Sequence, residues 1–263
     1  MCYDVSFTVS IKQLSDYFPD LVFDDQLEMD FNMEHNFTHI AGHAYGKHPI
    51  IYVHREDTAP HCRLMEWGVI THYTKDEEAY KRYRATMLNI RSERILDDPK
   101  SYWYKIRQKR CLIPVTGFYE HREVDGLKKK VPYFIRLKGQ PIMFIPGLYS
   151  VVELPDKITG EMIKRHTYAM ITREAVTNDV IKQIHNGGVD ENRMPLLLPF
   201  ELSKRWIQKE LQEGEYREIL KYEMPSEALL YHSVYTIRSP KGRPDEKEKN
   251  EYYQWEGVPE IVI

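Results

Sequence analysis

The stretch Arg110-Cys-Leu-Ile-Pro-Val-Thr-Gly-Phe-Tyr-Glu-His121 decides the fold. From Cys111 to Glu120 it is apolar and carries β-branched and aromatic side chains, which reads as a strand. Its neighbours read the same way. Val5-Ser6-Phe7-Thr8-Val9 alternates with a period of two, and strand patterns recur at Ile50 to His54, Arg63 to Ile70, Pro132 to Leu137, Pro141 to Tyr149, Thr167 to Ile171 and Met194 to Leu198. Helical patterns lie at Asp76 to Met87, Lys100 to Gln108, Asn178 to Ile184 and Phe200 to Glu210. In the third, Thr177 or Asn178 is a capping residue and Asp179 complements the positive helix end. Strands outnumber helices and short turns join most of them. This predicts an α+β fold: a single domain with a curved, largely antiparallel β-sheet core and peripheral helices.

No internal repeat, low-complexity tract or long linker divides the chain. The domain is expected over residues 2–225, with residues 226–263 as a C-terminal extension. Within that extension Ser239 to Asn250 is rich in Lys and Glu and holds two prolines, the composition of an exposed arm. Tyr252 and Trp255 beyond it predict that the extreme C-terminus docks back.

At 263 residues, 42% hydrophobic and 29% charged, the chain has the length and composition of a soluble globular protein. No apolar run approaches the ~20 residues that span a bilayer, and no basic stretch precedes an apolar one near the start. Cys2, Cys62 and Cys111 are too few for a disulfide framework, and no CxxC or clustered His points to a metal. A reduced, cytoplasmic protein is expected, a monomer without metal or organic cofactor and without a membrane partner. The net charge of −3 conceals an uneven distribution. Residues 1–60 carry 3 Lys/Arg against 10 Asp/Glu, residues 61–149 carry 18 against 10, and residues 150–263 carry 16 against 20. The basic middle third is the electrostatic footprint a polyanion needs, although a solvated face rich in Lys gives the same count.

Chemistry begins at the second residue. An initiator Met is removed when the next side chain is small, and Cys qualifies, so removal of Met1 would leave an α-amine and a thiol on Cys2. Such an aminothiol condenses with an aldehyde and closes a thiazolidine ring. Its amine titrates near ~7.7–8.0 and its thiol near ~8.5, so both nucleophiles are partly available at neutral pH. An N-terminal amine also acts as base or attacking group in nucleophilic catalysis.

Four further segments carry candidate side chains. In Arg63-Leu64-Met65-Glu66-Trp67-Gly68, Trp67 is either a core residue or a flat face for a base. Asn89-Ile90-Arg91-Ser92-Glu93 offers an amide, a guanidinium and a hydroxyl, a set that suits a phosphate. Glu120 ends an apolar strand beside aromatic residues, and is either a surface carboxylate at a strand end or a group whose desolvation would raise its pKa toward the range of general acid–base work. His185, before a pair of glycines, is either a helix C-terminal cap or a proton carrier near pH 7, and Arg193-Met194-Pro195 follows a few residues later.

Taken in order, Met1-Cys2-Tyr3, Trp67-Gly68, Asn89-Ile90-Arg91-Ser92-Glu93, the 110–120 segment and His185-Asn186 with Arg193-Met194-Pro195 resemble the SRAP (SOS response-associated peptidase) family of abasic-site-processing proteins. The resemblance spans roughly residues 2 to 220. It implies covalent capture of abasic sites in single-stranded DNA by Cys2 through a thiazolidine. It further implies that Glu120 shuttles protons, Asn89 orients the N-terminal residue and His185 assists ring opening and reversal. Arg91 and Ser92 resemble positions on the flanking phosphates, Trp67 resembles a residue packed beside displaced bases, and Arg193 joins the DNA-binding set. Lyase activity and self-removal of Met1 belong to the same implication. The chain departs from the family pattern at Tyr3-Asp4, where many relatives have Gly then Arg, and at His121, where Trp is frequent. The loop from Gly187 to Asn192 is also longer than usual. Two other readings stay open on the residues: a peptidase using Cys2, His185 and Asn89, and a non-catalytic single-strand-binding module.

Overall fold

A computed structural model describes residues 2–24, 37–54, 56–239 and 242–263. The described residues form two sheets with short helices around them. One sheet has five strands in the order β13-β9-β8-β1-β3: β1 (Asp4–Phe7), β3 (Phe37–Ala41), β8 (Gly117–Arg122), β9 (Val131–Leu137) and β13 (Leu229–Ser233). All of its pairings are antiparallel.

The larger sheet contains β2 (Val22–Phe23), β4 (Lys47–Val53), β5 (Pro60–Trp67), β6 (Asn89–Arg91), β7 (Arg110–Val115), β10 (Met143–Pro155), β11 (Met162–Glu174) and β12 (Arg193–Pro195). Five of these strands close a ring, because each of β11, β10, β7, β4 and β5 pairs with the next and β5 pairs back onto β11. The expected curvature thus runs to closure into a barrel, which removes the sheet edges between these strands. The closing contact, Thr167↔Glu66 and Tyr168↔Trp67, is parallel, as are β6 on β11 and β2 on β5.

The 110–121 segment departs from the single strand its sequence predicts. It is two strands in two sheets, with the change at Thr116. β7 is buried along its whole length between β10 and β4, which explains its unbroken apolar run. Thr116 then donates its N–H to the Ser6 carbonyl at 2.7 Å, and β8 pairs with β1 and β9. Gly117 has no alternative at this crossing: an added Cβ would lie 2.1 Å from the Phe134 ring. One continuous apolar stretch therefore staples the barrel to the five-stranded sheet and delivers Glu120 to the junction.

The helices are α1 (Glu77–Tyr83), α2 (Glu93–Leu96), α3 (Tyr102–Lys105), α4 (Asp179–Ile184), α5 (Phe200–Ile207) and α6 (Glu213–Lys221). The expected helix at 100–108 shrinks to one turn at α3, and the end of the 76–87 helix tightens into a 3₁₀ turn over Arg84–Met87. α5 seals one flank of the barrel: Trp206 is fully buried and its indole N–H donates to the Cys111 carbonyl at 3.0 Å. The C-terminal residues run back over the five-stranded sheet. β13 pairs with β9, Val234 bridges Tyr252, and the Trp255 indole donates to the Val234 carbonyl at 2.9 Å. The Arg243 guanidinium, 8% exposed, gathers the 245–252 turn by bonding Asp245 and the carbonyls of Glu248, Glu251 and Tyr252.

Candidate functional site

Four side chains separated by up to 183 positions in the sequence meet at the junction of the two sheets. Cys2 leads directly into β1, Asn89 opens β6, Glu120 stands in β8 and His185 caps the C-terminus of α4. The partnering of β6 with β11 aims Asn89 at the chain's start, and its Nδ2 donates to the Cys2 carbonyl at 2.9 Å. The Cys2 thiol is fully buried and donates to the carbonyls of Asp4 at 3.5 Å and Tyr119 at 3.9 Å. Burial and the neighbouring Glu120 carboxylate push this thiol well above its usual range.

Glu120 is 4% exposed, and its Oε1 has no hydrogen-bond partner among the described residues. Burial raises its pKa to about 7, against the pull of the positive chain terminus. At neutral pH it is therefore shared between acid and carboxylate, the condition a proton shuttle requires. His185 lies beside it, Nε2 to Oε2 at 3.8 Å. Burial, and then the positive chain terminus, holds the imidazole neutral by lowering its pKa to about 4. Its Nδ1 lies 2.7 Å from the Arg193 carbonyl, an acceptor, so Nδ1 carries the proton and Nε2 presents a lone pair toward Glu120.

Local structure fixes this histidine. Asn178 caps α4, accepting from the Ile181 N–H at 2.9 Å, and the His185 N–H donates to the Ile181 carbonyl at 2.7 Å. The 186–192 loop then turns back, with Gly188 at φ +108°. Asn186 clips the loop to the end of β8 through two bonds with the Glu123 main chain, at 2.8 and 3.0 Å. Chain length in this loop therefore costs no registration at the site.

The expected DNA contacts divide. Arg91 is exposed at the end of β6, where its guanidinium meets Asp190 at 2.5 Å. Ser92 is largely buried and its hydroxyl donates to Glu93 at 3.2 Å. Trp67 does not present a face to a base. It is 1% exposed, its indole N–H donates to the Leu88 carbonyl at 2.9 Å, and Tyr168 stacks on it at 5.8 Å, so it is a core residue of the barrel closure. Arg193 is likewise withdrawn: its guanidinium, 7% exposed, bonds Glu93 at 3.0 Å and the Thr172 carbonyl at 2.9 Å. It holds β12, and with it the acceptor of His185, in place.

Sequence reasoning missed a second layer. Asp4, 2% exposed, accepts from His39 Nε2 at 2.7 Å and from the Arg238 guanidinium through both of its oxygens. These partners outweigh burial and keep Asp4 ionised, with a pKa below its usual value. The signal available was the departure at position 4, since a buried carboxylate demands a cation. Nothing local pointed to residues 35 and 234 positions away. Cys62 and Cys111 are buried thiols within the core. Among the described residues no group of three or more His, Cys, Asp or Glu is arranged to hold a metal ion, and no helix is long and apolar enough to cross a membrane.

The family model for SOS response associated peptidase (SRAP) matches residues 1–237. The abasic site processing protein YoqW of Bacillus subtilis is 29% identical over 184 residues, 69% of this chain and 73% of that protein. The abasic site processing protein HMCES of Gallus gallus is 27% identical over 192 residues, 66% of this chain and 52% of that protein. A crystal structure of a protein from Bacteroides thetaiotaomicron superposes with a TM-score of 0.73 at 26% identity, covering 95% of this chain and 97% of that one.

Proposed function

The chain belongs to the SOS response associated peptidase family, and from that membership and the junction site we propose that it processes abasic sites in single-stranded DNA by covalent capture on Cys2. The observation that carries this reading is the convergence of Cys2, Asn89, Glu120 and His185 around one buried carboxyl group that titrates near neutrality.

Removal of Met1 creates the reacting amine. The ring-opened abasic sugar presents an aldehyde, and the Cys2 nitrogen adds to its carbon to give a carbinolamine. Protonated Glu120 donates to the departing hydroxyl, water leaves, and a protonated imine forms beside the Glu120 carboxylate. The Cys2 sulfur then adds to the carbon of the protonated imine, its proton passing to the Glu120 carboxylate, while the C=N electron pair returns to the ring nitrogen. The net change is loss of one water and formation of a thiazolidine. Because burial keeps the thiol protonated, Glu120 must act at both steps, first as acid and then as base. Asn89 fixes the Cys2 carbonyl, which leaves the amine and sulfur as the mobile groups. Neutral His185 accepts and returns protons at Glu120, the role that ring opening and reversal require.

A peptidase built on a Cys–His pair finds less support, because the Cys2 sulfur bonds main-chain carbonyls and His185 faces Glu120. In the proposal the protein acts as a monomer, with Arg91 toward a flanking phosphate. Intact-mass analysis of Met1-free protein with an abasic oligonucleotide tests the reading. The expected product is protein plus oligonucleotide less one water, absent with Cys2→Ala. An unmodified mass in the wild type overturns it.

A further inference from the structure

Position 4 follows the reacting residue by two, and here it is an aspartate whose charge would repel a DNA strand. The fold answers with a residue from the other end of the chain. Arg238 lays its guanidinium on both oxygens of Asp4 while 55% of its side chain stays exposed. Arg238 also forms one wall of a surface groove of about 350 Å³. Lys129 and Lys130 of the β8–β9 connection line the same groove, as does His121. Lys130 meets Glu123 at 2.6 Å, while Lys129 is exposed and has no carboxylate within ion-pair distance among the described residues. Burial keeps His121 neutral, its pKa lowered to about 4, so the groove's charge comes from Lys129, Lys130 and Arg238.

We propose that this groove, between the β8–β9 connection and residues 236–239, binds the DNA phosphodiester next to the captured sugar, with Arg238 bridging Asp4 and the phosphate. The inference rests on the function proposed above and adds the path by which the strand reaches Cys2. Three observations support it together. The Cys2 thiol donates to the Asp4 carbonyl and Arg238 grips the Asp4 carboxylate, so a phosphate held by Arg238 stands two residues from the reacting group. A guanidinium engaged by a carboxylate along one edge keeps N–H donors on the other for a second oxyanion. The Asp4–Arg238 pair, together with His39, compensates a buried carboxylate that stands beside Cys2 and Glu120. Arg238 is thus a positioning residue, and the cation it supplies stands where position 4 carries none.

The test uses the full chain with Met1 removed, and compares wild type, Arg238→Gln, Lys129→Ala, Asp4→Asn and the Asp4→Asn/Arg238→Gln pair. Binding to an intact single-stranded oligonucleotide is measured against salt, and adduct formation is measured with the abasic counterpart. Lys129→Ala and Arg238→Gln are each expected to weaken intact-strand binding several-fold and to reduce the salt slope by about 0.7, the value for one single-strand phosphate contact. Arg238→Gln is expected to slow adduct formation at saturating DNA, with Asp4→Asn restoring the rate but not the slope. Unaltered affinity and slope in both Lys129→Ala and Arg238→Gln, with the wild type forming adduct, would overturn the groove and leave the capture chemistry standing. Absence of adduct in the wild type would instead overturn the capture chemistry, and the salt slopes would still decide the groove.

Discussion

Glu120 and His185 approach to 3.8 Å with both in unusual protonation states, the carboxyl raised to about 7 and the imidazole lowered to about 4, chiefly by burial. Burial favours the neutral form of each, so the two groups pull stability in opposite directions as pH changes.

For Glu120 the folded pKa lies above the unfolded value near ~4.3, so its contribution is complete below that value and is lost as pH rises through about 7. For His185 the folded pKa lies below the unfolded value near ~6.5, so its contribution is complete above that value and is lost as pH falls toward about 4. Glu120→Gln should therefore steepen the loss of stability on acidification, and His185→Asn should steepen the loss between pH 5 and 7 on going alkaline. Urea midpoints across that range check both. Parallel pH profiles for the two variants would contradict the assignment.

Glu120→Gln should lower the rate of adduct formation by roughly a hundredfold or more, a loss typical of one acid–base group, with intact-strand affinity unchanged. The wild-type rate should pass through a maximum near pH 7, where acid and carboxylate forms coexist. Gel quantification of adduct against time and pH reads both quantities. A proportional loss of affinity would mean that Glu120 holds DNA.

Asn89→Ala removes the donor to the Cys2 carbonyl. About 1 kcal/mol of stability should go with that bond, and adduct formation should slow while the pH of its maximum stays in place. A shifted maximum would show that Asn89 tunes Glu120 instead of orienting Cys2.

Arg91 and Arg193 should separate cleanly. Arg91→Ala is expected to reduce the salt slope of strand binding by about 0.7 with little change in melting temperature, since its side chain is exposed. Arg193→Ala strips a buried guanidinium from Glu93 and Thr172 and should cost about 1–3 kcal/mol, leaving the slope intact. Thermal melts and salt titrations of the two variants give the comparison.

Gly117→Ala places a methyl 2.1 Å from the Phe134 ring and 3.1 Å from the Ile135 carbonyl. The ring must move within a packed sheet, a cost of about 1–3 kcal/mol. Because Glu120 follows three residues later, adduct formation should fall as well. Phe134→Leu should recover part of both.

Much of the fold was legible along the chain. The alternation at Val5 to Val9 and the apolar runs at 50–54, 132–137 and 167–171 each lie within or across an observed strand, because burial of one or both faces writes itself directly into side-chain type. The split at Thr116 was not legible. An unbroken apolar run records only that both halves are buried, and β7 and β8 are both buried, one in the barrel and one in the second sheet. Strands at 89–91 and 229–233 were hidden because each is short and lacks a clear alternation, and is strand only through its partner, β11 or β9.

The sequence by itself determined which groups are available for the proposed chemistry, since an aminothiol at position 2 and a carboxyl within an apolar stretch are properties of covalent structure and local polarity. Tertiary structure alone decided which neighbours those atoms have. It buried Trp67 and Arg193, which the family resemblance had placed beside DNA, and it brought Arg238 to Asp4 across 234 residues. The reason is that desolvation and Coulomb interactions depend on distance through space, and a motif records only distance along the chain.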